Sequence, residues 1–176
     1  MCAESLYLRS YADLVESPDQ PRWLDADERQ TWQSLARVLV RLRSALDSDL
    51  QRDAGISHFD YQVMAALSEA PQRTMRLSDV AARTDGSLPR LSQVVCRLEK
   101  RGWVERRPDP ADGRTTLATL TEAGWDKIVA TAPGHVEAVR QHVFDPLTKA
   151  QQRQLLDITQ RITRTFEPER NSPNKR

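Results

Sequence analysis

The tightest constraint on this chain lies between residues 78 and 120, where two short helix-forming stretches precede two β-forming runs. The first stretch opens at Ser78, a good N-cap residue, and continues through Val80 and Ala81 to Arg83. Thr84-Asp85-Gly86 reads as a turn, with Gly86 free to take any left-handed backbone position. The second stretch opens at Ser87 and tolerates Pro89, because a first helical turn has no intrahelical N–H bonds to lose. It runs to Arg101, where Gly102 ends it as a C′ residue. Leu91, Val94, Val95 and Leu98 form its apolar face, leaving Arg90, Gln93, Arg97 and Cys96 on the other side. Residues 103–107 and 115–120 are rich in β formers, and the loop between them ends in Asp112-Gly113, a pair favoured in hairpin turns.

The flanks are helical. Residues 25–53 carry Trp32, Leu35, Leu39, Leu42, Leu46 and Leu50 at steps of three or four, one apolar stripe of a long helix. Asp25, Asp27 and Glu28 sit where the helix dipole favours negative charge. Gly55 ends that helix. Ser57, with Asp60 three residues on, predicts a capping box for the next, whose buried side is Phe59, Val63, Met64 and Leu67. Downstream, Thr121 caps a helix that Pro133-Gly134 should kink or break. A final helix from about Thr148 carries Leu155, Ile158, Ile162 and Phe166. Residues 6–15 read as a short additional helix in an arm spanning 1–24, and residues 168–176 as a polar, disordered tail.

Helix, short turn, helix and hairpin in that order is the winged helix-turn-helix, here in a mainly α chain with a small β-hairpin. The fold class expected is such a lobe plus a helical dimerisation region built from the N- and C-terminal helices. A helix fits the DNA major groove, so its outward face needs long donors for base edges and phosphates. Arg90, Gln93 and Arg97 supply them, and Ser87 or Ser92 suits a phosphate, with Pro89 keeping the first turn compact. The hairpin reaches the flanking minor groove, where Arg114 meets concentrated negative potential. Asp112 orients that arginine or its loop, and Arg107 is a candidate phosphate contact. Leu35, Leu39, Leu155, Ile158, Ile162 and Phe166 are the candidate dimerisation residues, since stripes this long are hard to bury within one small chain. Two such helices must also sit about 34–36 Å apart to meet successive major grooves.

Through Leu77-Ser78-Asp79-Val80-Ala81, Leu91, the run from Arg97 through Arg101-Gly102-Trp103 to Arg106, Asp112-Gly113-Arg114 and Leu120-Thr121-Glu122-Ala123-Gly124, the sequence resembles the MarR family of bacterial transcription regulators. The last two stretches match that family's wing signature, Asp-x-Arg followed by Leu-Thr-x-x-Gly. With the flanking helices the resemblance covers about 32–166. It implies a homodimer with interlocked terminal helices, two winged lobes on a pseudo-palindromic double-stranded operator, and a small-molecule effector cleft between the dimer region and each lobe. An aromatic or phenolic effector is expected, with Trp32, His58, Tyr61 and Trp125 as its candidate contacts. Residues 25–167 would form the family domain: helix-turn-helix at 77–101, wing at 103–120, dimerisation helices at 25–55 and 121–167. Gly113 stands where this family's wings often carry a second arginine.

Composition narrows the alternatives. Net charge is only +1, but residues 76–114 hold nine Lys or Arg against six Asp or Glu, leaving seventeen against nineteen elsewhere. The basic surplus therefore coincides with the helix-turn-helix and wing. Six glycines, three histidines and the lack of a nucleophile elbow, phosphate-binding loop, His-Glu-x-x-His pair or dinucleotide fingerprint argue against an enzyme or a bound cofactor. Two cysteines build neither a disulfide framework nor a metal site, and His135 with His142 lacks half a ligand set, so no metal is expected. With no membrane span or signal-peptide pattern, the expected setting is the cytoplasm, without a membrane partner. The leading expectation is a ligand-responsive repressor; alternatives are a redox-responsive regulator working through Cys96 and a helical adaptor that kept the fold but binds protein.

Overall fold

A computed structural model describes residues 21–166; the short helix expected at 6–15, most of the arm, Cys2 and the tail at 168–176 lie outside the described residues. The chain divides into two compact units, Met1–Val38 and Leu39–Arg176. Within the first, α1 (Ala26–Ala54) opens on a reciprocal cap: the Glu28 N–H donates to Asp25 Oδ1 at 2.8 Å, and the Asp25 N–H to Glu28 Oε2 at 3.1 Å.

The second unit continues α1 and adds α2 (His58–Ser68), a 3-10 turn (Pro71–Arg73), β1 (Thr74–Arg76), α3 (Leu77–Arg83), α4 (Leu88–Lys100), β2 (Val104–Asp109), β3 (Asp112–Leu120), α5 (Glu122–Val139), a π-helical turn (Arg140–Phe144) and α6 (Lys149–Arg164). The three strands form one antiparallel sheet in the order β1-β3-β2. One core joins Val63, Met64 and Leu67 of α2, Val80 of α3, the Leu91, Val94, Val95 and Leu98 face of α4, Val104, Leu120 and Ile128 of α5. The expected winged helix-turn-helix is therefore present, and α5 is anchored in its core through Ile128.

Five local expectations change. Strand β1 was not foreseen; it pairs Thr74 with Thr119, Met75 with Ala118 and Arg76 with Leu117. Because the chain passes directly from β1 into α3, Arg76 is the N-cap, and the Ser78 hydroxyl turns to Asp79 at 3.3 Å instead of capping. Asp85, not Gly86, takes the left-handed position, with φ 48°. Gly86 is needed for closeness: a Cβ there would stand 2.6 Å from Cζ of Phe59. Asp112-Gly113 does not make the hairpin turn; Pro110-Ala111 does, and Asp112 pairs with Asp109 as the first residue of β3. Finally, α5 runs unbroken through Pro133, on its exposed side, because Ile128, Thr131 and Ala138 hold the opposite side against the protein. The irregularity falls later, where the Asp145 N–H reaches the Arg140 carbonyl at 2.8 Å across a π turn.

Candidate nucleic-acid interface

Helix α4 has sharply defined ends. Ser87 has N-cap backbone geometry but no side-chain cap bond, its hydroxyl has no partner among the described residues, and Pro89 sits in the first turn. At the other end Gly102 has φ 72°, its N–H bonds the Glu99 carbonyl at 2.9 Å, and the Trp103 N–H bonds the Leu98 carbonyl at 3.0 Å. This is a Schellman closure, and it directs the chain straight into β2. With Leu91, Val94, Val95 and Leu98 buried, Pro89, Ser92 and Gln93 are exposed. Among the described residues the Ser92 and Gln93 side chains have no partner in the chain.

The two arginines expected beside them are engaged. The Arg90 guanidinium lies 3.9 Å from the centre of the Phe59 ring, and Arg97 Nη2 donates to Asp60 Oδ1 at 2.8 Å. Both thus sit on the flank of α4 that meets α2. Asp60 is the capping-box residue anticipated from Ser57: its N–H donates to the Ser57 hydroxyl at 3.0 Å, and its Oδ2 accepts the Ser57 N–H at 3.1 Å. Its contact with Arg97 was not anticipated. Cys96 is half-buried, on the opposite flank from Arg97.

The wing is held by two ion pairs, one along β2 and one beside its turn. Arg106 Nε donates to Glu99 Oε2 at 3.0 Å, tying β2 to α4; this contact holds the Glu99 carboxyl below its usual range and raises the Arg106 guanidinium. Arg76 Nη2 donates to Asp109 at 3.1 Å, tying β1 to β2. Near the tip, Asp112 accepts the Arg114 N–H at 3.1 Å and the Thr115 hydroxyl at 2.9 Å. The first of these bonds is the larger cause that keeps the Asp112 carboxyl below its usual range. Asp112 thus shapes the loop through the Arg114 backbone and the Thr115 hydroxyl, and neither bond involves the Arg114 guanidinium. Among the described residues Arg107 and Arg114 have no ion-pair partner, and both are exposed.

The expected effector residues separate. His58 and Tyr61 come together with His135 of α5, whose ring centre lies 5.6 Å from His58 and 4.2 Å from Tyr61. These three line a cavity of about 250 Å³ with Gln62, Glu69 and Arg83. His135 also borders a second cavity, of about 180 Å³, with Asp49, Asp53 and Lys127. The His58 N–H donates to Asp47 Oδ1 of α1 at 2.7 Å. Burial lowers the pKa of both imidazoles, more than Asp47 raises that of His58; His58 lowers His135 further. His135 Nδ1 is buried with no hydrogen-bond partner among the described residues. Trp125 stands apart, 4.2 Å beneath the Arg73 guanidinium, and Trp32 is exposed in the first unit. His142 lies 3.6 Å from Asp49 and does not join His135; no group of three or more His, Cys, Asp or Glu among the described residues could hold a metal ion. Spacing along the chain points to His135 only as a metal-ligand candidate, since its meeting with His58 and Tyr61 depends on tertiary packing.

Helix α6 has no buried residue, and its Leu155, Ile158, Ile162 stripe is exposed, as are Leu39 and Phe166; Leu35 is half-buried. No helix among the described residues is long and apolar enough to cross a membrane.

Known proteins share this arrangement. A sequence profile of the MarR family matches residues 54–115, from the end of α1 to the wing tip. The fold superposes on Sco3205, a MarR family transcriptional regulator from Streptomyces coelicolor solved in complex with DNA, with TM-score 0.83 and 42% identity over 88% of this chain and 97% of that one. AbsC, another MarR family transcriptional regulator from Streptomyces coelicolor, gives TM-score 0.79 and 34% identity over 83% and 98%. The transcriptional repressor MprA of Escherichia coli is 24% identical over 131 residues, 73% of this chain and 74% of that protein. Among curated proteins, a shorter match, 37% over 71 residues, links 40% of the chain to 48% of the uncharacterized regulator YdcH of Bacillus subtilis. With the winged lobe, the Asp112-Gly113-Arg114 wing and near-complete coverage of a 42% identical relative in agreement, the chain belongs to the MarR family of transcriptional regulators.

Proposed function

We propose that the chain is a DNA-binding transcriptional repressor that grips a pseudo-palindromic operator as a homodimer. Helix α4 enters the major groove with Ser87, Pro89, Ser92 and Gln93 facing the bases and backbone, and the wing brings Arg114 to the adjacent minor groove, with Arg107 on a phosphate and Asp112 shaping the loop. Arg90 and Arg97 border this surface. The observation that carries the reading is the selective lack of partners: Arg76, Arg97 and Arg106 are paired with carboxylates, while Gln93, Arg107 and Arg114 are left without one among the described residues. Donors and cations left open on a helix face and its neighbouring hairpin suit phosphates and base edges. A relative sharing 42% of its sequence was crystallised in complex with DNA.

The second copy is the occupant of the α6 stripe. An amphipathic helix with no buried residue exposes Leu155, Ile158 and Ile162 to water, and two such helices from paired chains remove that cost together. Residues 25–55 and 121–167 supply the dimer region. An aromatic or phenolic effector occupies the cavity beside His58, Tyr61 and His135, supported by the half-buried rings and the open His135 Nδ1. By stabilising one lobe separation over another, it changes operator affinity by about 5- to 150-fold.

The test is selection of duplexes from a random-sequence pool, followed by binding titrations over a range of salt. Arg114→Ala should flatten the salt dependence by about one unit of slope, whereas Gln93→Ala should lower preference for the selected sequence and leave the slope unchanged. Equal binding by both variants and the parent chain would remove this surface from the account.

A further inference from the structure

The first turn of α2 holds α4 at two places. Phe59 lies under the Arg90 guanidinium, and the same ring fills the space beside Gly86, in the turn that launches α4. Next to it, the Asp60 side chain is only 8% exposed, and its carboxylate has two partners, the Ser57 N–H and Arg97. Arg90 and Arg97 are seven residues apart, two turns of one helix flank, so the two contacts fix both the rotation and the tilt of α4. Arg97 is the cation that neutralises a buried carboxylate. Handing it to a DNA phosphate would leave the Asp60 charge buried without a counter-ion, which is costly.

We propose that Asp60 is a positioning residue for DNA recognition: through Arg97 it sets the angle at which α4 presents Ser92 and Gln93, and Arg97 acts through this contact instead of reading bases or phosphates itself. The inference rests on the DNA-binding reading above and deepens it. It also predicts a sign that simple electrostatics reverses. Removing an acidic group near DNA ordinarily tightens binding, whereas loss of a positioning carboxylate weakens it.

The probe is the set of short duplexes that the wild-type chain selects from a random-sequence pool, with a scrambled duplex as control. Asp60→Asn, Arg97→Met, the double variant and Arg97→Lys are titrated over a range of salt, beside thermal unfolding of each. The expected result is that each single variant binds the selected duplex about five- to a hundredfold more weakly, with the double variant no worse than either. The preference over scrambled duplex falls, the salt slope stays at its wild-type value, and Arg97→Lys recovers part of the loss. A structural role alone would lower the unfolding temperature and leave the preference intact, which overturns the proposal. A drop of about one in the salt slope for Arg97→Met makes Arg97 a direct phosphate contact and overturns it as well. Should Asp60→Asn fail to fold, Arg97→Met decides by that slope, since its side chain is half exposed. A wild-type chain that enriches no duplex defeats the DNA-binding reading and this inference with it. Enrichment by the wild type with equal or tighter binding by Asp60→Asn defeats the inference alone.

Discussion

Substituting alanine for two glycines of a single helix should move stability in opposite directions. Gly124 lies in the first turn of α5, where the Thr121 hydroxyl accepts its N–H at 3.0 Å and donates to the Gly102 carbonyl at 2.7 Å. The Thr121 N–H also bonds the Trp103 carbonyl at 3.0 Å, so the start of α5 is fastened to the start of β2. A Cβ on Gly124 would fall inside the contact distance of the Trp103 carbonyl oxygen and 2.7 Å from Leu120 Cδ1. The oxygen belongs to fixed backbone, so the two segments must separate by about 1 Å. Overpacking of this kind costs about 1–3 kcal/mol, and losing the Thr121 bond about 1 more. The helix preference of alanine over glycine returns about 1 kcal/mol. Gly124→Ala should therefore destabilise the protein by about 2 kcal/mol, a fall of about 4–8 °C in unfolding temperature for a chain of this size. Gly134 lies in the same helix with nothing within 4 Å of its Cβ position. Gly134→Ala should add about 0.5–1 kcal/mol. Urea unfolding at one fixed protein concentration reads both, with an unchanged m value certifying that only stability moved. Equal shifts for the two variants, or a Gly124→Ala protein as stable as its parent, would refute the reasoning.

Two further outcomes follow from the same geometry. Burial lowers the pKa of His58 and His135 below the ordinary 6.5, so the unfolded chain binds more protons on acidification. Stability is then complete above that value and lost as pH falls from it toward the lower folded-state pKa; His135→Gln should flatten the decline in urea midpoint below about pH 6.5, and an unaltered profile would contradict the assignment. On α6, Ile158→Glu places a charge in the exposed apolar stripe and should weaken self-association by about tenfold or more in sedimentation velocity, with helical circular dichroism retained. A chain that sediments as before would exclude this face from the dimer.

Local chemistry in the sequence anticipated much of the fold. The Ser57 capping box with Asp60, the Thr121 cap and the Gly102 closure are all contained within a few residues, where spacing alone states the hydrogen bond. The inward face of α4 was legible for the same reason, because Leu91, Val94, Val95 and Leu98 carry a helical period. What escaped depends on partners distant along the chain. Strand β1 has only three residues, too few for an alternating pattern, and exists because β3 offers an edge to it. The union of Arg97 with Asp60, and of His135 with Tyr61, needs helices to meet across intervals that no periodicity spans. Gly86 and Asp112-Gly113 misled for a different reason. Glycine signals both a left-handed backbone and a close approach, and at Gly86 the Phe59 ring required only the second.

Hydroxyl-radical footprinting of the wild-type chain on its selected duplex tests the central claim most directly. Two α4 helices related by a dyad should protect two tracts with centres about 10 base pairs apart, or a multiple of that spacing. One protected tract would contradict the paired arrangement, and an unprotected duplex would contradict DNA recognition itself.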